Sequence, residues 1–442
     1  MWETLKRAFK IKEIRIKILL TFVFMIIYRL GCYIPVPGVG GGLIGEDTLN
    51  NVTYLGIMSM MTGGALANGT WLAMGIGPYI NSSIIIQLLT VAIPRLERLS
   101  KEGESGRRKI NNLTRYVAVL LAIIQSIGII LNYGKDALVE NGDNWSSLAA
   151  LLGGQKWLAY TLTVVFYTSG ALVTVWIGER ITDYGVSNGI SMLIFAGILA
   201  SAGEYFISMF KGIAKGGDAG MTSFWRLFAY VVTIIVIFGL IVCIENAERK
   251  IRVQYAKQVK GRKMMGGQSQ EIPIKVNANG VMPLIFAFSI VSFPELIFTM
   301  FMKENNKVLN WWQKWMGTQS WVYMIVLCLL IFAFAFFYSQ IQFNPEDVSR
   351  SIQQNGGFIQ GIRPGKATSD YLSKINKKIT LFGAIFLAFM ALVPSIIFRY
   401  IDPTKSSVFS ATGMLIVVSV ALEFNTALES QIMMKNYKGF LK

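Results

Sequence analysis

The sequence predicts an all-α membrane protein of ten transmembrane helices in two inverted five-helix halves. Three observations carry this. Of 442 residues, 53% are hydrophobic and only 15% charged, with a mean hydropathy of +0.49, whereas a soluble domain has about a quarter of its residues charged. The apolar residues fall in runs of about twenty, the length that spans a ~30 Å hydrocarbon core. The basic residues are lopsided: 31 Lys and Arg lie on connections sharing a side with the N-terminus, against 10 on the opposite connections. The positive-inside rule then places both termini in the cytoplasm.

Taken in order, the first span covers residues 18–36. Lys6, Arg7, Lys10, Lys12, Arg15 and Lys17 precede it like the head of a secretory signal. No small-residue cleavage site follows, and the chain runs through Arg29 into Pro35-Val36-Pro37-Gly38, so it reads as a retained span. Residues 37–70 hold Gly40, Gly41, Gly42 and Gly45, then the apolar stretch from Tyr54 to Met61, then Gly63-Gly64. That stretch is too short to cross a bilayer and reads as a re-entrant helix, which needs protein or water around it. The second span, 71–93, puts Ile76 and Ile80 on one face, followed by Asn81, Ser82, Ser83 and Gln87. Such a helix either lines a cavity or hydrogen-bonds a neighbour. Spans at 115–132, 157–178 and 189–210 complete an N-terminal half, residues 1–210.

The second half, residues 225–442, holds spans at 225–246, 280–302, 319–341, 379–398 and 410–430. Five crossings per half force it to enter from the opposite face, a scaffold that commonly holds a path at the interface of its halves. Two N-terminal-side loops, 247–279 and 342–378, are longer than connectivity needs and carry eight and six basic residues. These charges either set topology and meet anionic lipid or bind a protein or RNA partner.

Composition argues against enzyme chemistry. The chain has no histidine, which removes the usual general base and the commonest metal ligand. Cys32, Cys243 and Cys328 are odd in number and widely spaced, unlike a disulfide framework or zinc site. Gly40-x-Gly42-x-x-Gly45 lacks the strand and helix of a dinucleotide fingerprint, and Gly361 to Lys366 has the wrong spacing for a phosphate loop. Glu179, Glu204, Glu245, Glu295 and Glu429 lie at span ends rather than at mid-membrane, where a coupling ion would be held. Glu423, more than half way along the last span, is the exception. From these residues alone a secondary transporter of a small solute stays open as the alternative.

Longer motifs narrow this. Gly64-Ala65-Leu66, the run from Gly75-Ile76-Gly77-Pro78-Tyr79-Ile80-Asn81 to Val91, Lys101-Glu102-Gly103-Glu104-Ser105-Gly106-Arg107-Arg108-Lys109, Gln125-Ser126-Ile127-Gly128, Trp176-Ile177-Gly178-Glu179, Gly185 to Ser191, Lys275-Val276-Asn277 and Phe358 to Gly365 together closely resemble the bacterial SecY family, in order and along essentially the whole chain. The resemblance implies a clamshell channel that translocates unfolded secretory polypeptides across the plasma membrane and releases transmembrane segments laterally. It implies a pore ring of Ile76, Ile80, Ile194, Ile285 and Ile416, a plug from about 53–70, and a hinge in the loop joining spans five and six. A lateral gate between spans two and three and spans seven and eight would be lined by Asn81, Gln87, Gln125 and Phe293. Arg262, Lys263 and Arg363 would bind partners. Implied partners are small membrane subunits of the SecE and SecG type, the ATPase SecA, the ribosome with its RNA, the signal-recognition-particle receptor, secretory polypeptides and membrane lipid; no cofactor or catalysis is implied. The family often has two arginines where this chain has Arg262-Lys263, and Lys keeps the charge but not the planar fork.

Overall fold

The computed structural model describes residues 2–37, 53–139, 156–214, 217–255, 258–260, 263–265, 269–277, 280–301, 307–317, 320–401 and 411–439. An amphipathic helix α1 (Trp2–Lys10) leads into α2 (Lys12–Gly31), the first span. After the re-entrant α3 (Thr53–Thr62) come α4 (Gly77–Ala92), α5 (Pro94–Lys101), α6 (Glu104–Val139), α7 (Lys156–Tyr184) and α8 (Gly189–Ala214). The second half begins with α9 (Gly217–Glu245), then strands β1 (Glu248–Tyr255), β2 (Gln258–Lys260), β3 (Lys263–Met265) and β4 (Ser269–Lys275). It continues through α10 (Met282–Phe301), α11 (Lys307–Met316), α12 (Trp321–Gln342), α13 (Pro345–Gln354), β5 (Gly357–Ile359), α14 (Lys366–Ile401) and α15 (Ala411–Gly439).

Helices stand at all ten expected spans. Among the described residues, seven are long and apolar enough to cross a membrane, and an eighth is the pair α4 and α5, bent by 102°. The remaining two are α2, whose ends carry Lys, Arg and Glu, and α10, which contains Pro294. Boundaries differ where local chemistry overrides hydropathy. The second span was expected from residue 71, yet α4 starts at Gly77. The preceding residues form turns that place Gly63, Gly64, Gly69 and Gly75 at positive φ, and they are pinned by the Pro35–Thr70 bridge and by Trp71 N–H donating to the Ile34 carbonyl at 2.8 Å. Pro78 in the first turn suits a helix start. Pro94 forces Ile93 into extended backbone, φ −108° and ψ 113°, which produces the bend. In contrast, α6 and α14, 36 residues each, run about 54 Å, so their basic ends reach well beyond any hydrocarbon layer.

The largest core joins α8 to α15 around Tyr230, Ile241, Leu284, Phe286, Ile331, Leu387 and Leu415, and takes in Ile84 of α4. A second core joins α2, α7, α8 and α15 around Tyr28, Ile181, Leu193 and Ile416. The two halves therefore meet along α4, α8, α10 and α15.

The two basic loops, expected as connections, fold as one body. β1 pairs antiparallel with β4 from Glu248↔Lys275 to Gln254↔Ser269, and its other edge takes β5 through Val253↔Ile359. Ile251, Val253, Ile274, Ile352, Ile359 and Leu372 make a core of their own beneath the sheet. Alternation decides the faces: Ile251 and Val253 are buried, while Lys250 and Arg252 between and beside them are exposed. Asn344 caps α13 by accepting from Glu346 N–H at 3.1 Å, with Pro345 in the first turn.

Candidate functional site

The five predicted ring isoleucines come together from four helices. Ile76 caps α4 and Ile80 follows one turn later, its N–H donating to the Ile76 carbonyl at 3.0 Å. Ile194 comes from α8, Ile285 from the first turn of α10 and Ile416 from the first turns of α15. Ile76, Ile194 and Ile416 are buried members of one apolar cluster, and Ile80 and Ile285 pack against it.

Two cavities flank this collar. One, of about 80 Å³, is lined by Ile76, Ile80, Ile285 and Ile416 together with Met58, Met60 and Met61 of α3. The other, of about 430 Å³, opens where α9 ends and the sheet begins, and is lined by Ile194, Ile285 and Ile416. Ile285 and Ile416 border both, so the collar is the wall between them. An aliphatic constriction of this kind excludes water and ions by dewetting.

The wide cavity is polar at its rim. Glu245 accepts from Asn277 Nδ2 at 2.8 Å and from Ser419 Oγ at 3.0 Å, tying the end of α9 to the approach to α10 and to α15. Glu423, unassigned from sequence, lines the same space and is exposed within it; it faces the cavity rather than packing between helices.

The short helix α3 closes the narrow cavity from the other side, as the re-entrant reading of Tyr54 to Met61 expected. Leu55, Met58 and Met60 are buried, and backbone contacts add to this seat. Ser201 Oγ of α8 donates to the Met60 carbonyl at 3.1 Å, and Arg29 Nη1 of α2 donates to the Thr62 carbonyl at 3.2 Å. The Cβ that Gly197 lacks would fall 1.8 Å from the Met61 carbonyl oxygen, so the two backbones touch because this position carries no side chain.

The predicted gate residues divide. Gln87 of α4 accepts from the Tyr338 hydroxyl of α12, while its own Nε2 donates to Ser83 Oγ at 3.0 Å. This bond crosses between the halves, and Tyr338 was missed from sequence; the signal was a hydroxyl at the polar end of an otherwise aromatic run, where it requires a partner. Phe286 stacks edge-on against Tyr338 with centroids 4.8 Å apart. Asn81 lines the narrow cavity beside Ser289 and Ser292 of α10. Gln125 of α6 is buried, and its Oε1 has no hydrogen-bond partner among the described residues. Phe293 of α10 is exposed.

Of the residues expected to bind partners, Arg363 is exposed on a fixed loop: Thr368 Oγ1 donates to its carbonyl at 2.9 Å, and Ser349 Oγ to that of Gly365 at 2.8 Å. Lys263 opens β3, paired across from Lys260. Arg262 lies outside the described residues.

An aliphatic collar between two cavities, stoppered by a re-entrant helix at the meeting of two helical halves, defines a class: a gated membrane channel. The family profile of SecY matches residues 70–425. The protein translocase subunit SecY of Streptomyces scabiei is 40% identical over 442 residues, with 99% of each chain covered. Those of Bacillus licheniformis and Thermotoga maritima are 38% and 37% identical, with all of this chain covered and 100% and 98% of theirs. Among solved structures, a protein-conducting channel superimposes with a TM-score of 0.63 at 16% identity, covering 96% of this chain and 92% of its own. The Sec61 channel of a canine ribosome–channel complex gives 0.59 at 16% identity, covering 94% and 92%. The chain belongs to the SecY family and is a protein-conducting channel subunit. The small-solute transporter left open by the residues alone finds no support among these relatives.

Proposed function

We propose that this structure is the closed state of the channel, in which Ile76, Ile80, Ile194, Ile285 and Ile416 form the seal and residues 53–70 form the plug. The carrying observation is that Ile285 and Ile416 border both cavities while the other three divide between them. A translocating polypeptide enters the 430 Å³ funnel, spreads the collar and displaces α3. Branched aliphatic side chains suit this task, since they deform around any sequence and offer it no polar partner. Apolar segments leave sideways between α4 and α6 on one half and α10 and α12 on the other, past Asn81, Gln87, Gln125 and Phe293. The hinge is the connection between α8 and α9, two helices that pack through Tyr205 and Tyr230 with centroids 4.8 Å apart.

In this reading the chain lies in a bacterial plasma membrane with both termini and the sheet in the cytoplasm, an orientation the basic-residue asymmetry supports. The sheet, Arg262, Lys263 and Arg363 dock the ribosome, through its RNA, or the ATPase SecA, and the signal-recognition-particle receptor delivers substrates to the same face. A related Sec61 channel stands in a ribosome complex, which supports this assignment. Exposed Phe228, Val232, Ile235 and Val236 along α9 offer a face for lipid or for small single-span subunits of the SecE and SecG type. The chain itself catalyses no covalent step and holds no cofactor; its partners supply the energy.

The test is site-specific photocrosslinking from position 80 to a stalled secretory chain in actively exporting membranes. A crosslink there that competes with unlabelled secretory substrate is expected. Its absence, with export running, overturns the assignment of the path.

A further inference from the structure

The α3 helix ends in a motif that gives the Ser59, Met60 and Thr62 carbonyls a donor each. Gly64 N–H donates to the Ser59 carbonyl at 2.9 Å and Gly63 N–H to that of Met60 at 3.2 Å, with Gly63 in left-handed backbone at φ +66°. These are the two bonds of a Schellman cap. The Thr62 carbonyl, left over by that cap, accepts from Arg29. Arg29 is held over the ring of Tyr33 at 5.6 Å, inside α2, where an ionisable side chain is costly and calls for a role. The two cap glycines also face opposite charges. A Cβ on Gly63 would fall 2.1 Å from Arg29 Nη1, and one on Gly64 would fall 3.3 Å from Glu204 Oε2 of α8.

We propose that Arg29 is the positioning residue of the plug: its guanidinium, anchored in α2, caps the C-terminus of α3 and, with Glu204 on the other side, fixes the Gly63–Gly64 turn about which α3 swings. A cation at a helix C-terminus complements its negative dipole end, and a charge-assisted bond is about twice as strong as a neutral one. Both contributions vanish when α3 leaves. Arg29 therefore biases the resting channel toward closure without touching the translocating chain. This rests on the reading of α3 as the plug.

The experiment is a cycle in the purified channel with its small membrane subunits, reading resting ion conductance in planar bilayers. Arg29→Gln is expected to raise the resting leak by about tenfold or more, and Arg29→Lys, which keeps the charge, by less. In a background with residues 53–62 deleted, or with α3 dislodged by Gly197→Val, Arg29→Gln is expected to add nothing, because there is no plug left to cap. A further rise in that background shows that Arg29 acts on the fold of α2, and overturns the proposal. An unchanged leak for Arg29→Gln in the full chain overturns it as well. If deletion of 53–62 itself leaves the channel tight, the plug reading fails, and the proposal with it; that outcome is distinct from the other two.

Discussion

Gly197→Ala tests the seating of α3 most directly. The new methyl would lie 1.8 Å from the Met61 carbonyl oxygen, 2.7 Å from its carbon and 3.4 Å from Thr62 N. These are backbone atoms, so no rotamer change relieves the clash, and α3 must retreat by about 1.5 Å to regain ordinary contact. The retreat stretches the 3.1 Å bond from Ser201 to Met60 and lifts Met58, Met60 and Met61 from the narrow cavity. Overpacking of this kind costs about 1–3 kcal/mol, here charged against the closed state alone, which corresponds to roughly a 5- to 150-fold shift toward unplugged channel. Alanine raises the helix propensity of α8 by about 1 kcal/mol, so loss of the helix is not a competing cause. Resting conductance in planar bilayers reads the effect. Gly203→Ala, on the same helix with nothing within 4 Å of its Cβ, should leave conductance unchanged. A Gly197→Ala channel as tight as wild type would refute the seating of α3 against α8.

Two further outcomes follow from the collar and the seam. Ile285→Asn or Ile416→Asn gives water a partner at the wall shared by both cavities, favouring a hydrated constriction by about 1–3 kcal/mol; the ion leak should rise about tenfold and defective signal sequences should be exported, whereas an unchanged leak would remove these residues from the ring. Gln87→Leu and Tyr338→Phe should each ease gate opening and together do little more than either alone, with a coupling of about 0.5–1.5 kcal/mol read from the rate of lateral crosslinking to lipid-exposed segments. Additive effects would mean that the hydroxyl and the amide do not bridge the halves during gating.

The spans were legible because hydropathy over twenty residues is a local property, as was the re-entrant stretch, too short to cross and bounded by glycines. Sites assembled from distant segments were not. Ile76 and Ile80 by themselves were an ordinary pair on a helix face; only folding brings Ile194, Ile285 and Ile416 to the same level, and the family resemblance, not periodicity, named them. The sheet stayed hidden for the same reason: Val253 meets Ile359 across more than a hundred residues, and charge made both segments look like plain loops. Pairing of Gln87 with Tyr338 also needed the fold. The start of α4 was misjudged because residues 71–76 are apolar enough to extend the span, while Gly75 and the tie from Trp71 to Ile34 hold them in turns.

The contacts that hold α3 explain how one short segment can seal firmly and still leave. Ten residues are fewer than the ~12–15 an isolated helix needs to be even marginal in water, so α3 owes its helix to its seat. Leu55, Met58 and Met60 bury an apolar face of α3, and the seat adds backbone-directed bonds from Ser201 and Arg29 and a glycine-wide approach at Gly197, which depend on position. Such contacts weaken steeply over an ångström, unlike apolar burial, which declines gradually with exposed area. On the proposed reading, displacement of α3 breaks these bonds together, and α3, once clear of its apolar seat, loses the helical shape that fits the cavity. In the proposed gating, closure requires α3 to refold in its seat, which would make it a switch with two states, while the aliphatic collar would be the part that yields.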